Sequence, residues 1–370
     1  MMSSYLKSIE YASYLLWKKH RPPFYLIHFV TEQCPANCRH CFVNAGPDDG
    51  KSLRLDEIEM FARKIKRMLF VFLTGGEPFI RDDLAGIARA YSHYAGVQKI
   101  QCPSNGYYPE KMVDIVRDIC SSCPDTHFSV TLSIDAVGVK HDESRRCPGL
   151  FERVIRAFHL LQEEEKKFSN FNLNVTTTVS SFNQDELERL HDFVINELKC
   201  GNYFNTLVRG KPREPAAANV DISKFEAFND VLEVSLRSAK MRGYRRFPFA
   251  DFINAKNIIS RRLITRTAKE NTYQIPCYAG QIAGVLYSKG DVYPCELLPE
   301  KLGNIRDVDY DLSRIWESDR AANIRKKIFE EKCFCTHECF TTLNILFNPR
   351  FLSKLVREVL RLKINRILRN

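Results

Sequence analysis

From Phe24 onward, short apolar runs alternate with longer stretches whose apolar residues recur at helical spacing. Runs rich in β-branched and aromatic residues are typical of buried strands, whereas a period of about 3.6 residues indicates an amphipathic helix. The predicted strands are Phe24–Val30, Leu69–Leu73, Gln98–Gln101, Phe128–Ile134, Leu173–Val179 and Tyr203–Val208. The predicted helices between them lie near Leu55–Met68, Leu84–Tyr94, Lys111–Ile119, Phe151–Glu165 and Asp185–Leu198. Strands separated by helices form parallel β-α-β units, so the sequence predicts an α/β fold in which these strands curl into a partial (β/α)6 barrel.

Helical patterns also flank the predicted barrel. Residues 1–22 carry an apolar stripe that stops at two prolines, so we expect a packed N-terminal amphipathic helix there. After the barrel, helices are predicted near Ile222–Ala239 and Ala250–Ile264. The predicted domains are an N-terminal helix (1–22), the barrel (23–215), a helical bridge (216–276), a cysteine-bearing α+β domain (277–345) and a C-terminal helix (346–370).

Basic residues concentrate in two of these helices. The group Arg261, Arg262 and Arg266 is expected on a solvated face, because no aromatic platform for nucleic acid accompanies it. The C-terminal helix has one apolar stripe made of Leu352, Leu355, Val356, Val359 and Leu362. Against the single acid Glu358 it carries Arg350, Lys354, Arg357, Arg361, Lys363, Arg366 and Arg369. Such a helix can lie on an anionic membrane surface or pack on the barrel with its charges in water, and both interpretations stay open.

Length and composition bound the class of protein. The chain has 370 residues, 44% of them hydrophobic, which suits one large or two smaller domains with a sizeable core. No apolar run is long enough for a membrane span, and the N-terminus lacks the pattern of an export signal. The 13 cysteines are therefore expected to be thiols or metal ligands of a cytoplasmic protein, with membrane association possible through the basic helix.

Polar motifs follow five of the six predicted strands. These motifs are Cys34–Cys41 after the first strand, Gly75-Gly76-Glu77-Pro78 after the second, Ser104-Asn105-Gly106 after the third, Ser133 and Asp135 at the end of the fourth, and Arg209-Gly210 after the sixth. The carboxyl ends of parallel barrel strands meet on one rim, where the chemistry of such barrels gathers. We therefore expect these motifs to share one site.

The first of these motifs has the spacing of an iron–sulfur site. Cys34, Cys38 and Cys41 are separated by three and then two residues in a loop that contains a proline. Three such thiolates can converge on three corners of a four-iron cluster. The fourth iron then keeps an open position, which an enzyme that binds a small molecule on iron needs. The alternative is a zinc ion held by the three thiolates and His40.

The spacing of Cys34, Cys38 and Cys41 resembles the signature of radical S-adenosylmethionine (SAM) enzymes, and a partial barrel is the fold that this resemblance implies. In that family the [4Fe-4S] cluster on such a loop binds the amine and carboxylate of SAM at its open iron. His40 stands where the family usually has an aromatic residue, and its ring is flat enough to lie beside adenine.

Three other motifs support the resemblance. Gly75-Gly76-Glu77-Pro78 resembles the motif that holds the SAM amino group: the glycines let backbone approach a ligand, and Glu77 can accept a hydrogen bond from an ammonium. Ser104-Asn105-Gly106 resembles the Thr-Asn-Gly turn of the family. Ser133-Ile134-Asp135, followed by His141-Asp142-Glu143-Ser144-Arg145, resembles a pattern whose serine and arginine reach the SAM carboxylate and ribose. Ala136 and Arg146 replace glycines of that pattern, and a solvated guanidinium is the alternative for Arg145.

A second cysteine region begins at Cys277. Cys277, Gly290 and Cys295 fit Cys-x12-Gly-x4-Cys around a predicted hairpin that turns at Lys289-Gly290-Asp291. With Cys333, Cys335 and Cys339, this layout resembles the auxiliary-cluster domains called SPASM when they hold two clusters and twitch when they hold one. Two clusters need up to about eight thiolates, and this region has five, so we expect one auxiliary [4Fe-4S] cluster. Its expected ligands are Cys277, Cys295, Cys335 and Cys339, with Cys333 as the competitor and structural zinc as the alternative.

The resemblance implies an enzyme. One electron from the reduced cluster cleaves SAM to methionine and a 5′-deoxyadenosyl radical, which abstracts a hydrogen atom from the substrate. An auxiliary cluster that accepts an electron from the substrate radical would make the outcome an oxidation or a cross-link. Such a cluster could instead bind substrate or tune the potential. The expected electron donor is a flavodoxin or ferredoxin, and the expected substrate is a peptide, a sugar or cyclitol, or a lipid-linked intermediate. The alternative is a non-catalytic metal-binding scaffold or interaction protein, which would not need Glu77.

Overall fold

The computed structural model describes residues 22–43, 46–47, 49–65, 67–244 and 250–367. The predicted N-terminal helix lies outside the described residues except for Pro22 at its end.

Six parallel strands form the barrel wall. They are β1 (Tyr25–Thr31), β2 (Phe70–Gly75), β3 (Lys99–Ser104), β4 (His127–Ser133), β5 (Phe171–Val179) and β6 (Tyr203–Leu207). Strands that follow one another in the chain are neighbours in the sheet, in the order β6-β5-β4-β3-β2-β1. The predicted mixed α/β fold with a parallel six-stranded sheet is confirmed. All the carboxyl ends of these strands therefore point to one rim.

Helices cover the outside of the strands. The helices between the barrel strands are α1 (Leu55–Lys64), α2 (Leu84–Ala95), α3 (Pro109–Ser122), α4 (Val139–Arg145), α5 (Leu150–Lys167) and α6 (Leu187–Asp192). Phe61, Phe128, Phe158 and Phe171 are fully buried where these layers meet. Burying one such side chain stabilises the fold by about 1.5–3 kcal/mol.

Two α-helices end earlier in the structure than the apolar patterns of the sequence predict. The helix predicted over Leu55–Met68 ends at Lys64, because Ile65 already has extended backbone. The helix predicted over Asp185–Leu198 is α6 followed by a π-turn, Phe193–Glu197. The wider turn keeps Val194 and Ile195 buried although the α-helical hydrogen bonding has changed.

The second cysteine region extends the same sheet. Strand β7 (Ala283–Leu286) pairs in parallel with β1, and β8 (Asp291–Tyr293) and β9 (Gly303–Asn304) follow in antiparallel order. The predicted hairpin between Cys277 and Cys295 is present as β7 and β8. Because β1 also leads into the loop Cys34–Cys41, a single strand connects the two cysteine regions.

A layer of helices closes the molecule beside the barrel. It consists of α7 (Ile222–Arg237), α8 (Ala250–Glu270), α9 (Leu312–Trp316), α10 (Asp319–Glu330), α11 (Glu338–Leu346) and α12 (Pro349–Ile367). Helix α8 packs against α7, α11 and α12. This packing corrects one expectation: Arg262 and Arg266 are exposed, but Arg261 is only 7% exposed and is not on a solvated face.

Helix α12 has apolar residues on two faces. Leu355 and Leu362 are buried against the protein, whereas Leu352, Val356, Leu360 and Ile364 are 47–57% exposed. The predicted single stripe is therefore divided between an inner and an outer face. On the inner face, Glu358 is buried and forms ion pairs with Arg237 and Arg262. Within the described part of the chain, no helix combines the length and the hydropathy needed to span a bilayer.

Candidate active site

The motifs that follow the strands surround one cavity of about 1170 Å³. The predicted site residues that line it are Cys34, Cys38, His40, Cys41, Gly75, Gly76, Glu77, Ser104, Asn105, Ser133 and Arg145. Pro78 and Asp135 are buried next to this group and do not line the cavity. Pro78 begins a short 3-10 turn, and Asp135 lies behind the wall, where it contacts lining residues.

The cysteine loop is held from two sides by backbone hydrogen bonds. On one side, Gly76 N donates to Thr31 O at 2.9 Å and Glu77 N donates to Gln33 O at 2.8 Å. On the other side, the final carbonyl groups of α4 accept hydrogen bonds from Asn37 N (3.1 Å) and Arg39 N (3.0 Å). The loop conformation is thus fixed by residues from β2 and α4 that are distant in sequence.

Gly75 and Gly76 are required by this packing. A Cβ atom at Gly75 would lie 2.1 Å from Thr31 O, and one at Gly76 would lie 2.0 Å from Gln33 O. The sequence analysis attributed the glycines to the approach of a ligand. In the structure their first role is to let β2 and the cysteine loop come into contact, although both residues also line the cavity.

The Glu77 carboxylate joins the loops after β2 and β3. Its Oε1 accepts from Phe79 N (3.1 Å) and Ser104 Oγ (2.8 Å), and its Oε2 accepts from Asn105 N (2.7 Å). Burial raises the pKa of Glu77 to about 7 against these hydrogen bonds. A carboxylate has about four acceptor sites, so one remains for a ligand ammonium.

Donors from two loops approach the thiols. Asn105 Nδ2 lies 3.6 Å from Cys34 Sγ, and Arg145 Nη1 lies 4.0 Å from Cys38 Sγ. Burial raises the pKa of Cys34 to about 11 and that of Cys38 to about 12, while Arg145 lowers both. A bound metal must therefore displace thiol protons, as is general for cysteine ligands.

Arg145 points into the protein and pairs with Asp135. Arg145 Nη2 lies 2.7 Å from Asp135 Oδ2, and both side chains are almost fully buried. This contact removes the alternative of a solvated guanidinium. The neighbouring Arg146 instead pairs with Glu214 on the outside, and its backbone has φ of +48°, which explains why a glycine is usual there.

His40 is a neutral side chain beside this pair. Its Nε2 lies 3.5 Å from Asp135 Oδ2, and its Nδ1 has no hydrogen-bond partner in the described structure. Burial lowers the pKa of His40 to about 4, against the opposing effect of Asp135. The ring lines the cavity between the thiols and Arg145, where contact with a planar base remains a prediction.

The sequence analysis missed two residues that hold the cysteine loop. Arg213 N donates to Cys41 O at 2.8 Å, and Arg213 Nη1 donates to Cys38 O at 2.8 Å. Glu214 N donates to Arg39 O at 2.9 Å, and the Glu214 carboxylate pairs with the Arg39 side chain. Only their position shortly after β6, on the rim, could have indicated them. Cys147, which sequence reasoning left without a role, also packs against this loop.

In the second cysteine region four thiols are linked by electrostatic interaction. Cys333 and Cys335 lie in the irregular segment before α11, and the effects of nearby thiols add to burial in raising the pKa of Cys277 to about 11 and of Cys335 to about 12. Cys277 and Cys335 likewise raise the pKa of Cys295, after burial. Cys333, expected as the competitor, is thus in this group with Cys277, Cys295 and Cys335.

Cys339 lies in a different environment. It lines the large cavity, its thiol contacts the Tyr25 hydroxyl and Glu338, and Arg209 acts on it electrostatically. Arg209, from the loop after β6, pairs with Glu296 at 3.0 Å and Glu338 at 2.7 Å. His337 Nε2 lies 2.7 Å from Glu296 Oε2. This ion-pair network connects the rim of the barrel to both cysteine segments of the auxiliary region.

The donor set of the first site fits an iron–sulfur cluster. Three thiols line one cavity, with an amide and a guanidinium directed at two of them. His40 Nδ1 and Arg145 Nε, which have no hydrogen-bond partner among the described residues, belong to side chains that line the same cavity. Together, the fold and the site define the class of protein. It is a partial parallel barrel that binds a redox cluster and a small molecule at the carboxyl ends of its strands.

Comparison with known proteins identifies the family. The chain matches the model of the radical SAM superfamily over residues 29–194 and the model of the SPASM iron-sulfur cluster-binding domain over residues 277–340. It belongs to the radical SAM superfamily and carries a SPASM-type domain. It is therefore an enzyme whose cofactors are a [4Fe-4S] cluster and SAM, with auxiliary iron–sulfur binding in the second domain.

The relatives agree with this assignment. AdoMet-dependent heme synthase of Methanosarcina barkeri is 26% identical over 309 residues, which are 78% of this chain and 80% of that protein. Pre-heme d1 synthase of Dinoroseobacter shibae is 22% identical over 334 residues, 85% of this chain and 78% of that protein. The crystal structure of Streptococcus suis SuiB bound to the precursor peptide SuiA has a TM-score of 0.60 at 18% identity, covering 83% of this chain and 68% of that chain.

Proposed function

We propose that the protein cleaves SAM reductively at Cys34, Cys38 and Cys41 and oxidises or cross-links an organic substrate in the barrel cavity. One observation carries the proposal: the three thiols, His40, Glu77 and Arg145 line one cavity large enough for SAM and a substrate together. With SAM bound, the reduced cluster supplies a 5′-deoxyadenosyl radical that abstracts a hydrogen atom. The protein positions the reactants and excludes water.

The chain's own residues have distinct parts in this proposal. Asn105 and Arg145 donate towards Cys34 and Cys38 and stabilise the thiolate form that iron requires. The free acceptor site of Glu77 would receive the SAM ammonium, and the backbone of Gly75 and Gly76 borders the same space. His40 offers a flat neutral ring for adenine, and Arg145 and Ser133 lie where the SAM carboxylate and ribose would be bound. Asp135 orients Arg145 and His40 from behind, and Pro78 shapes the turn after Glu77.

We propose one auxiliary [4Fe-4S] cluster, held by Cys277, Cys295, Cys333 and Cys335. Mutual interaction of these thiols supports this set over the one that includes Cys339. Cys339 then borders the substrate cavity beside Tyr25. An acceptor near the cavity would take one electron from the substrate radical and make the reaction an oxidation.

The proposal extends to the class of substrate and to the electron donor. A peptide, a sugar or cyclitol, or a lipid-linked intermediate fits a cavity that is open along the barrel. SuiB was crystallised with a precursor peptide, and two relatives are named as synthases of heme compounds. Electrons would come from a flavodoxin or ferredoxin, and thiol-bound clusters of this kind suit the reducing cytoplasm.

Anaerobic reconstitution with iron and sulfide, followed by dithionite and SAM, tests the proposed reaction. The wild type is expected to release 5′-deoxyadenosine, whereas Cys38→Ala is expected to release none. Cys123→Ala, a change of the same kind outside both cysteine regions, is the control and should behave as the wild type. A fully reconstituted wild type that releases no 5′-deoxyadenosine would refute the proposed cleavage.

We also propose that α12 contacts an anionic membrane surface. Its outer face presents Leu352, Val356, Leu360 and Ile364, and this apolar row is bordered by exposed Lys354, Arg357, Arg361 and Lys363. Apolar residues flanked by cations are the pattern of helices that lie in the headgroup region. The inner face of the same helix is already packed, so the outer residues have no role in the core.

Co-sedimentation with vesicles containing phosphatidylserine tests this contact. Val356→Asp is expected to reduce binding roughly fivefold or more, because it adds a negative charge to the apolar row. Val234→Asp on α7, where Val234 is 62% exposed, is the matched control and should leave binding unchanged. Equal binding of all three proteins, or binding that phosphatidylcholine alone supports, would contradict the proposal.

A further inference from the structure

The cavity continues from the cysteine rim to the opposite end of the barrel. Gln98, Lys99 and His127, which begin or precede β3 and β4, line it at that end. Lys99 and Ser104 are the first and last residues of β3, so about 16–17 Å of strand separate the two ends. In the proposed function, SAM and the cysteine loop occupy only the rim end of this cavity.

Three cations line this distal part. Lys99 comes from β3, and Lys256 and Arg261 come from one face of α8. Lys256 is 9% exposed and Arg261 is 7% exposed. Lys99 and Arg261 both act, after burial, to lower the pKa of Lys256 to about 7, so each of them lies within electrostatic reach of Lys256.

No carboxylate of the described residues forms an ion pair with these cations. Glu233 acts on Arg261 electrostatically, but its carboxylate is paired with Arg237 and Arg262. Lys256 Nζ has Thr342 Oγ1 at 3.3 Å, Arg261 Nη2 has Tyr203 O at 3.3 Å, and Arg261 Nη1 has no hydrogen-bond partner among the described residues. Lys99 lies over the ring of Tyr244 at 5.0 Å. None of the three is in an ion pair with a described side chain. Enclosing like charges without a counter-charge is costly, so the arrangement is incomplete without an anion.

The acids that line the cavity are engaged elsewhere. Glu77 is bonded to the loops after β2 and β3, and Glu296 and Glu338 pair with Arg209. Asp125 is exposed at the distal mouth. Lys256 is within electrostatic reach of Cys339, which the proposed auxiliary ligand set does not include. Lys99 and Arg261 lie away from the auxiliary cysteines, because β3 is separated from β1 by β2 and Arg261 contacts β6 at the far edge of the sheet.

We propose that Lys99, Lys256 and Arg261 form a binding site for a carboxylate or phosphate group of the substrate. The substrate would then span the cavity, with its anionic group at the distal end and its reacting carbon near the cysteine rim. The identification of the bound molecule as the substrate rests on the proposed function. The site itself is defined by the three cations and the cavity they line.

Calorimetric titration of the anaerobically reconstituted full chain with inorganic phosphate and with succinate tests the site. The wild type is expected to bind at least one of the two saturably. Lys256→Met and Arg261→Met are each expected to weaken that binding tenfold or more, since a charge-assisted hydrogen bond contributes about 1.5–3 kcal/mol. Lys240→Met removes an exposed cation outside the cavity and should bind as the wild type does. Tighter succinate binding would indicate a carboxylate substrate, and tighter phosphate binding a phosphate ester.

Two results would overturn the inference. One is a wild type that binds neither anion. The other is unchanged anion binding in both Lys256→Met and Arg261→Met. That result would overturn the inference even if the two variants altered the spectrum of the auxiliary cluster. Both variants are expected to fold, because replacing an unpaired buried cation by an apolar side chain is often neutral or stabilising. The titration needs no SAM cleavage, so a protein that binds anions without releasing 5′-deoxyadenosine contradicts only the proposed function.

Discussion

Individual atoms determine whether the cysteine loop can reach its position. The glycine pair after β2 and the carbonyl groups of Thr31 and Gln33 are in direct contact, with no space for a Cβ atom. The obstructing atoms belong to the backbone and cannot rotate away as a side chain would. Gly76 is therefore a structural requirement of the iron site even without a contact to SAM.

The Gly76→Ala variant is expected to lose about 1–3 kcal/mol of unfolding free energy, and more if the loop cannot move. It should also retain less than half of the iron of the wild type, because the thiols shift with the loop. Urea denaturation and iron analysis measure both effects. Gly46→Ala is the control, since nothing lies within 4 Å of a Cβ atom there. Wild-type iron content in Gly76→Ala would contradict this explanation of the glycine pair.

At this scale the sequence supplied the residue types but not all their roles. Cys34, Cys38, Cys41 and Glu77 could be selected because their spacing and position after strands are local features. That Glu77 would accept hydrogen bonds from Phe79, Ser104 and Asn105 could not be foreseen, because these bonds depend on how two separate loops meet. The burial of Arg261 was missed because helical periodicity cannot show which helix covers which face.

Among the elements, the loop after β6 has an unexpected part in the site. Arg213 and Glu214 reach across the rim and bind three backbone groups of the cysteine loop. The loop after β1 is thus held by segments from β2, α4 and β6. These contacts hold the backbone that carries the three thiols.

Arg213→Gln is expected to release iron to a chelator roughly tenfold faster than the wild type. It removes the guanidinium that holds Cys38 O, and loss of outer contacts commonly costs ten- to a hundredfold in metal affinity. Lys211→Gln, on the same loop but exposed, is the control and should match the wild type. Anaerobic stopped-flow measurement with a ferrous chelator gives both rates. Equal rates for the two variants would show that the loop after β6 does not support the site.

The elements themselves were largely predictable. Every predicted barrel strand is present with small changes at its ends, because parallel buried strands give compact apolar runs. The end of the α-helix predicted over Asp185–Leu198 was not predictable, because a π-helical turn keeps the same residues buried while it changes the hydrogen bonding. Contacts such as Arg213 to Cys38 were beyond prediction because they join residues distant in sequence.

At the scale of the whole molecule, the auxiliary region and the barrel form one sheet. A further connection lies on the outside, where Arg306 binds both carboxylate oxygens of Glu57 on α1 at 2.7 and 3.0 Å. The hydroxyl of Tyr310 also donates to Glu57 at 2.8 Å. Hydrogen bonding from Arg306 is the main reason that the pKa of Glu57 is lowered to about 2.

Arg306→Met is expected to lower the unfolding free energy by about 1–3 kcal/mol near neutral pH, a range that allows for the partial exposure of Arg306. Because the folded-state pKa of Glu57 is depressed, its contribution is present above about pH 4.5 and is lost as the pH falls towards about 2. The difference between variant and wild type should therefore shrink over that range. Urea denaturation at several pH values measures it.

Lys327→Met is the control for that prediction. Lys327 is half exposed and pairs with Glu300, so its loss should change the unfolding free energy by less than about 0.5 kcal/mol. A pH-independent difference for Arg306→Met would mean that Glu57 is not the group whose ionisation connects α1 to the auxiliary region.

The overall arrangement was predictable only in part. The hairpin between Cys277 and Cys295 follows from its turn residues, but its parallel pairing with β1 does not, because sheet partners distant in sequence leave no local pattern. The same limit is the reason that spacing alone leaves both Cys333 and Cys339 open as ligands.

Electron paramagnetic resonance of the dithionite-reduced protein, with and without SAM, tests the central claim most directly. The measurement is best made on the Cys277→Ala/Cys295→Ala variant, in which only the cluster on Cys34, Cys38 and Cys41 should remain. Three protein ligands leave one iron open to SAM, so the signal of this cluster is expected to change when SAM is added. A reduced four-iron signal that is identical with and without SAM would contradict the account.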